Sequence, residues 1–210
     1  MKIDERLQEL EEMVLTMANQ VRLMMEQSKD ALLNNRKDQA LFIIESDAHI
    51  NNLELEINET SVTILSLLHP VASDLRRVLA ALKISNDLER IGDYAKNIAR
   101  YIIKNDHFPD VLINQAEQLF AQFFTNFDNV IEVITNDDVK LAYETAEADE
   151  LIDNSFKKIA NLIDRENKET LLINFATIGL LRNIERAGDH TKNICEHVIY
   201  RKKSQYVDFG

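Results

Sequence analysis

Only four glycines and two prolines stand among the 210 residues, and tryptophan is absent. So few turn-forming residues leave little room for the tight turns of a β-rich architecture, and the chain reads as helical almost throughout. The single cysteine, Cys195, cannot form an internal disulfide, and no apolar run approaches the ~18 residues of a membrane span. The start, Met1-Lys2-Ile3-Asp4-Glu5, lacks a signal peptide's hydrophobic region, so a cytoplasmic location is expected. Basic residues are also in deficit: 24 Lys and Arg against 36 Asp and Glu, a formal net charge of -12, with the acids spread along the chain. Nucleic-acid backbone and anionic membrane are repelled on average by such a surface, and neither is expected as a partner. There is no Gly-rich phosphate loop, dinucleotide fingerprint or defensible Ser-His-Asp order, so nothing argues for an enzyme. What the chain does have is a 45% apolar content, enough for a sizeable core.

One stretch organises the rest because it occurs twice. Asp87-Leu88-Glu89-Arg90-Ile91-Gly92-Asp93-Tyr94-Ala95-Lys96-Asn97-Ile98 returns as Asn183-Ile184-Glu185-Arg186-Ala187-Gly188-Asp189-His190-Thr191-Lys192-Asn193-Ile194. In the first copy Ile84, Leu88, Ile91, Ala95, Ile98 and Ile102 step by four and three along one helical face; Leu180, Ile184, Ala187, Thr191, Ile194 and Val198 do so in the second. Glu89 and Asp93 lie about one helical turn apart, each one position on from the stripe, as do Glu185 and Asp189. Like charges at that spacing destabilise a helix slightly, and a mid-helix glycine costs ~1 kcal/mol against alanine. Both liabilities are kept in both copies, which suggests compensation: a cation for the carboxylates, and close approach of a backbone or ligand for Gly92 and Gly188.

In chain order, a first helix is predicted from about Asp4 to Asn34, a second from Lys37 to Leu68 with Ile43, Ile50, Ile57 and Ile64 in heptad steps, and a third from Ala72 to Lys104. Asn34-Asn35 and His69-Pro70 supply the stops. Met13, Met17, Met24 and Met25 fall at helical spacing and are read as core, as is Cys195. Asn105-Asp106-His107-Phe108-Pro109 is the natural boundary between two units, 1–106 and 107–210. Beyond it the pattern restarts at a displacement of 102, with Asn35 matched by Asp137 and Asp47 by Asp149, whereas the third helices are displaced by 96. Six residues are therefore missing near Arg165-Glu166-Asn167. The expected fold is all-α: six long helices as two tandem three-helix bundles with an internal pseudo-two-fold repeat, each helix roughly 45 Å long at 1.5 Å rise per residue.

The second helices bring acidic positions of their own, Asp149 and Asp153 in one half, Asp47 and Asn51 in the other. If these face Glu185-Asp189 and Glu89-Asp93, each half gathers about four oxygen-bearing side chains. Such a set, without cysteine or histidine at matched positions, favours hard cations such as Mg²⁺, Mn²⁺ or iron over structural zinc. The spacing is not the Glu-x-x-His of di-iron bundles. Arg90 and Arg186 accompany the carboxylates and can pair with them. The five histidines look scattered and are read as surface or capping residues. A solvated acidic face, a metal-storage or metal-dependent helical bundle, and a purely structural oligomerisation scaffold are the competing readings.

The segment His69-Pro70-Val71-Ala72-Ser73-Asp74-Leu75-Arg76-Arg77, followed by Asp87 to Asp93, resembles the PhoU family of phosphate-transport regulators, as does Asn193-Ile194-Cys195-Glu196. The likeness covers nearly the whole chain. It implies a negative regulator of high-affinity phosphate uptake that restrains the phosphate ABC transporter through its ATPase subunit and helps signal to a membrane sensor histidine kinase, with a homodimer as the expected assembly. Members of the family bind multinuclear iron or other metals, with manganese, magnesium and zinc as alternatives here, on Glu/Asp-x-x-x-Asp motifs. These correspond to Glu89-Asp93, Asp149-Asp153 and Glu185-Asp189, with Asp47 alongside. Asn51 departs from the acidic pattern and weakens the case for metal in the first half, and Ala187 stands where the first copy has Ile91. Arg90, Gly92, Arg186 and Gly188 are the expected docking residues.

Overall fold

The computed structural model describes residues 3–163 and 170–210, and the side chains outside 159–176. Seven helical segments follow one another: α1 (Ile3–Leu33), α2 (Lys37–Leu67), α3 (Ala72–Lys104), α4 (Asp110–Asn136), α5 (Val139–Ala148), α6 (Glu150–Ile163) and α7 (Thr170–Lys203). Among the described residues there is no strand. The all-α expectation holds, with one refinement: the fifth predicted helix runs as α5 and α6, divided at Asp149. The six-residue shortening predicted near Arg165-Glu166-Asn167 lies outside the described residues.

The stops work for local reasons. Asn35 and Asp137, which the 102-residue displacement pairs, both take left-handed backbone with φ of 48° and 52°. Short polar side chains tolerate that conformation best after glycine, so the first turn of each half is made without one. His69, pushed out of the right-handed helical region by Pro70, sits at φ 47° between α2 and α3. Pro109, with φ -59°, opens α4, where its missing N–H is no loss.

The stripes read from the sequence are the core. In α1, Leu7, Leu10, Val14, Met17, Val21, Met24, Ser28 and Ala31 are buried, and Ser28 satisfies its hydroxyl on the Met25 carbonyl at 2.7 Å. Ile43, Ile50, Ile57 and Ile64 of α2 and the six stripe residues of α3 are buried as well. So are all six of α7. Burial of each such isoleucine or leucine contributes about 1.5–3 kcal/mol, which is what holds these long helices side by side. α3 packs on α1, α2 and α7, while α7 packs on α3, α4, α5 and α6. The two repeated segments therefore lie on adjacent central helices, one bordering α2 and the other bordering α5 and α6. After α7, Ser204 at φ 58° turns the chain, and Val207 and Phe209 return to pack against the core.

Candidate functional site

In the second half the carboxylates converge. At Asp149 the helical ladder tightens: its N–H donates to the Ala146 carbonyl at 3.4 Å, and its own carbonyl accepts from Ile152 at 2.9 Å, both spacings of three residues. Asp149 is 2% exposed, and neither of its carboxylate oxygens has a hydrogen-bond partner. Asp153 Oδ1 and Glu185 Oε2 are also buried without one. Asp149, Asp153 and Asp189 each offer an oxygen such that all three lie within 4.8 Å of one another. Burial pushes the Asp149 carboxyl up to about 7; Lys192 opposes the shift, and Asp153, Asp189 and Glu185 add to it. Burial also raises Glu185, reinforced by Asp189, and raises Asp189 against the opposing charge of Lys192. Buried carboxylates at such spacing, with oxygens left without hydrogen-bond partners, are poorly satisfied by the protein alone, and an all-oxygen set of this kind fits a hard divalent cation.

The first half solves the same problem with an ammonium. Lys96 Nζ donates to Asp47 Oδ2 at 2.7 Å and to Asp93 Oδ1 at 2.5 Å. Asn51 Nδ2 adds a long contact to Asp47 at 3.4 Å. Arg90 lies 3.6 Å from both Glu89 and Asp93, too far for a hydrogen bond. Glu89 is raised by burial and then by Asp93, with Arg90 opposing. Among the described residues, only the second-half set of carboxylates closes to ligand spacing. Lys192, the counterpart of Lys96, stands 3.7 Å from Asp149 and 4.0 Å from Asp189.

The repeated glycines serve close approach between helices. A methyl group on Gly92 would meet Ile50 Cγ2 at 3.3 Å, and one on Gly188 would meet Ile152 Cδ1 at 3.1 Å, with Ile50 and Ile152 matched by the same 102-residue displacement. On Gly188 it would also meet Asp149 Oδ1 at 2.7 Å, so this glycine makes room for the buried carboxylate. Both glycines are buried, whereas Arg90 and Arg186 are exposed. Of the four residues expected at a docking surface, the arginines are the ones that present side chains to solvent.

The family model of the PhoU domain matches residues 14–102 and again 117–198. The chain belongs to the PhoU domain family. It is 32% identical over 163 residues to the phosphate-specific transport system accessory protein PhoU homolog 1 of Thermotoga maritima, covering 75% of this chain and 70% of that protein. It is 31% identical to the PhoU homolog of Zymomonas mobilis, with 94% of this chain and 85% of that protein covered. The crystal structure of the phosphate transport system regulatory protein PhoU from Streptococcus pneumoniae superposes with a TM-score of 0.88 at 26% identity, over 99% of this chain and 100% of that one. Among the described residues, no helix of this PhoU family member is long and apolar enough to cross a membrane.

Between the two PhoU repeats lies a network that the sequence reading missed. His190 Nδ1 lies 2.7 Å from Asp87 Oδ1, and His197 Nε2 lies 3.0 Å from Asp87 Oδ2. Asn193 donates to Oδ1 at 3.3 Å. Burial alone would raise the Asp87 carboxyl, but the contacts with His190 and His197 hold it below the usual range. His190 and His197 are thus half-buried ties between α3 and α7 rather than scattered surface residues. The signal was available: they are seven residues apart on one helical face, and the copies differ at Asp87/Asn183 and Tyr94/His190. Tyr94 and His190, 96 residues apart and equivalent, touch at 3.5 Å.

Proposed function

We propose that this chain is a negative regulator of high-affinity phosphate uptake and phosphate-starvation signalling, and that it works by docking rather than by catalysis. Its partners in this reading are the ATPase subunit of the phosphate ABC transporter and a membrane sensor histidine kinase, met on the cytoplasmic side. Support comes from membership of the PhoU domain family and from relatives named as accessory or regulatory proteins of phosphate transport. Two units, 1–106 and 107–210, would present the repeated acidic segments, with Glu89, Asp93 and Asp189 half-exposed beside exposed Arg90 and Arg186. In a chain of net charge -12, such faces suit basic surfaces and chiefly speed and orient encounter.

The single observation that carries a metal into this reading is the buried, unpartnered Asp149 beside Asp153 and Asp189. Those three, with Glu185 at the border, would hold the cation; iron is the first candidate, and manganese, magnesium and zinc are the alternatives. When bound it would supply positive charge that relieves Asp149 and the carboxylates of α6 and α7. Asp47, Glu89 and Asp93 belong to the matching set, in which Lys96 bridges Asp47 and Asp93. A homodimer completes the proposal: Leu41, Leu55 and Val62 are 54%, 55% and 62% exposed and fall in heptad register on the outer face of α2, the spacing by which two copies of a helix pair.

The deciding experiment places Glu89→Ala with Asp93→Ala, and separately Asp149→Asn with Asp189→Asn, in cells whose own copy has been removed. Folded variants that derepress phosphate uptake support the docking reading. Normal repression by both would show that the acidic faces are irrelevant.

A further inference from the structure

Each repeated segment is closed by a lysine, Lys96 or Lys192, with side chains only 14% and 12% exposed. Chemistry and position in the repeat are the same, yet Lys96 bridges its two aspartates and Lys192 does not reach either of its own within hydrogen-bond distance. The surroundings of the two lysines differ at residues 204–210. Ser204, at φ 58°, reverses the chain at the end of α7. The returning segment is clasped by the Phe209 N–H, which donates to Glu196 Oε1 at 2.9 Å, and by the Phe209 ring, which meets Tyr143 edge-on at 5.6 Å. The main-chain oxygen of Gly210 then accepts from Lys192 Nζ at 2.5 Å. In the first half the chain leaves α3 in another direction, tied to the first turn where Asn35 donates to the Asp106 carbonyl and Lys37 pairs with the Asp106 carboxylate.

We propose that segment 204–210 sets the cation affinity of the second-half site by holding the Lys192 ammonium on the main-chain oxygen of Gly210, which leaves Asp149 and Asp189 open to a divalent cation. Lys192 is thereby the internal competitor of the metal, and the tail decides where it sits. Released from Gly210, its ammonium moves inward onto Asp149 and Asp189 and occupies the place that Lys96 occupies between Asp47 and Asp93. Phe209 and Gly210 also line a cavity of about 400 Å³ together with Asp149, Asp153 and Lys192, so the tail is seated at the site itself. This inference rests on the reading of Asp149, Asp153 and Asp189 as a cation site.

Mn²⁺ is the probe, titrated calorimetrically into the full chain, a chain lacking Val207 to Gly210, Lys192→Met, and the two changes combined. The deletion is expected to weaken Mn²⁺ binding about tenfold, and Lys192→Met to restore it in the deletion background, because removing the competing ammonium removes the reason for the loss. Phe209→Ala, which loosens the clasp and keeps the chain length, weakens binding in the same direction. A metal-free crystal structure of the deletion shows Lys192 Nζ on both Asp149 and Asp189. Unchanged or tighter binding after deletion, as for a lid that merely obstructs entry, or a loss that Lys192→Met does not rescue, overturns the inference while the metal reading stands. A full chain that binds no Mn²⁺, iron or zinc removes the metal reading, and this inference with it.

Discussion

The two halves of this molecule hold matching acidic sets, alike but for Asn51 against Asp153, and meet opposite fates. In the first, Asp47 and Asp93 share the Lys96 ammonium at 2.7 and 2.5 Å. In the second, Asp149 is buried with both oxygens unpartnered, and the equivalent Lys192 is drawn to Gly210. A duplicated motif therefore does not make a duplicated site. The two acidic sets diverge at one position, Asp153 against Asn51, and through what the chain does after the third long helix of each half.

Ways to break this contrast can be ranked by expected size. The largest lies in pH. The Asp149 carboxyl rises from an ordinary 3.8 to about 7 in the fold, so between those values the folded chain binds more protons than the unfolded one. The stability that Asp149 contributes to the metal-free protein is thus full below the unfolded value and is lost as pH rises through about 7, a change on the order of 4 kcal/mol in denaturant titrations. Asp149→Asn should flatten that dependence, and saturating Mn²⁺ should offset it.

Next is Gly188→Ala, whose methyl would strike Asp149 Oδ1 at 2.7 Å. We expect a loss of about 2 kcal/mol by thermal unfolding, whereas Gly92→Ala, facing only Ile50, should stay within about 1 kcal/mol of wild type as helix propensity offsets the squeeze. A larger loss at Gly92 would contradict the asymmetry. Lys96→Met should cost about 1 kcal/mol and, by leaving Asp47 and Asp93 unneutralised, make the first half bind Mn²⁺ weakly. The smallest expected effect is Asp87→Asn, about 1 kcal/mol or less, since asparagine still accepts from His190 or His197 and is what the second copy carries. Acid titration checks it: the stability that Asp87 contributes above its unfolded value is lost as pH falls through its lowered folded value, and the asparagine variant should lack that loss.

How much of this was legible in the chain depends on the distance over which each feature is decided. Helix extents and core stripes are set by residues within one turn, so Ile43, Ile50, Ile57 and Ile64 announced their buried face, and Asn35 and Asp137 their turns. The close approach at Gly92 and Gly188 was readable as a repeated exception to helix propensity, though the approaching groups, Ile50, Ile152 and Asp149, were not. Which half would satisfy its own carboxylates could not be read from spacing. That outcome turns on Lys192 meeting a main-chain oxygen 18 residues further along the chain, a tertiary contact with no periodic signal. The Asp87 network escaped for a related reason: its partners come from the other copy, and what marks them is the difference between copies rather than their likeness.

The most direct measurement is metal content by elemental analysis of protein purified without tag or chelator, with Asp149→Asn/Asp189→Asn and Glu89→Gln/Asp93→Asn double variants beside it. Bound iron, manganese or zinc in the wild type, lost with the Asp149/Asp189 pair and kept with the Glu89/Asp93 pair, is the predicted result. No metal in the wild type, or equal loss in both variants, would contradict the division of roles between the two halves.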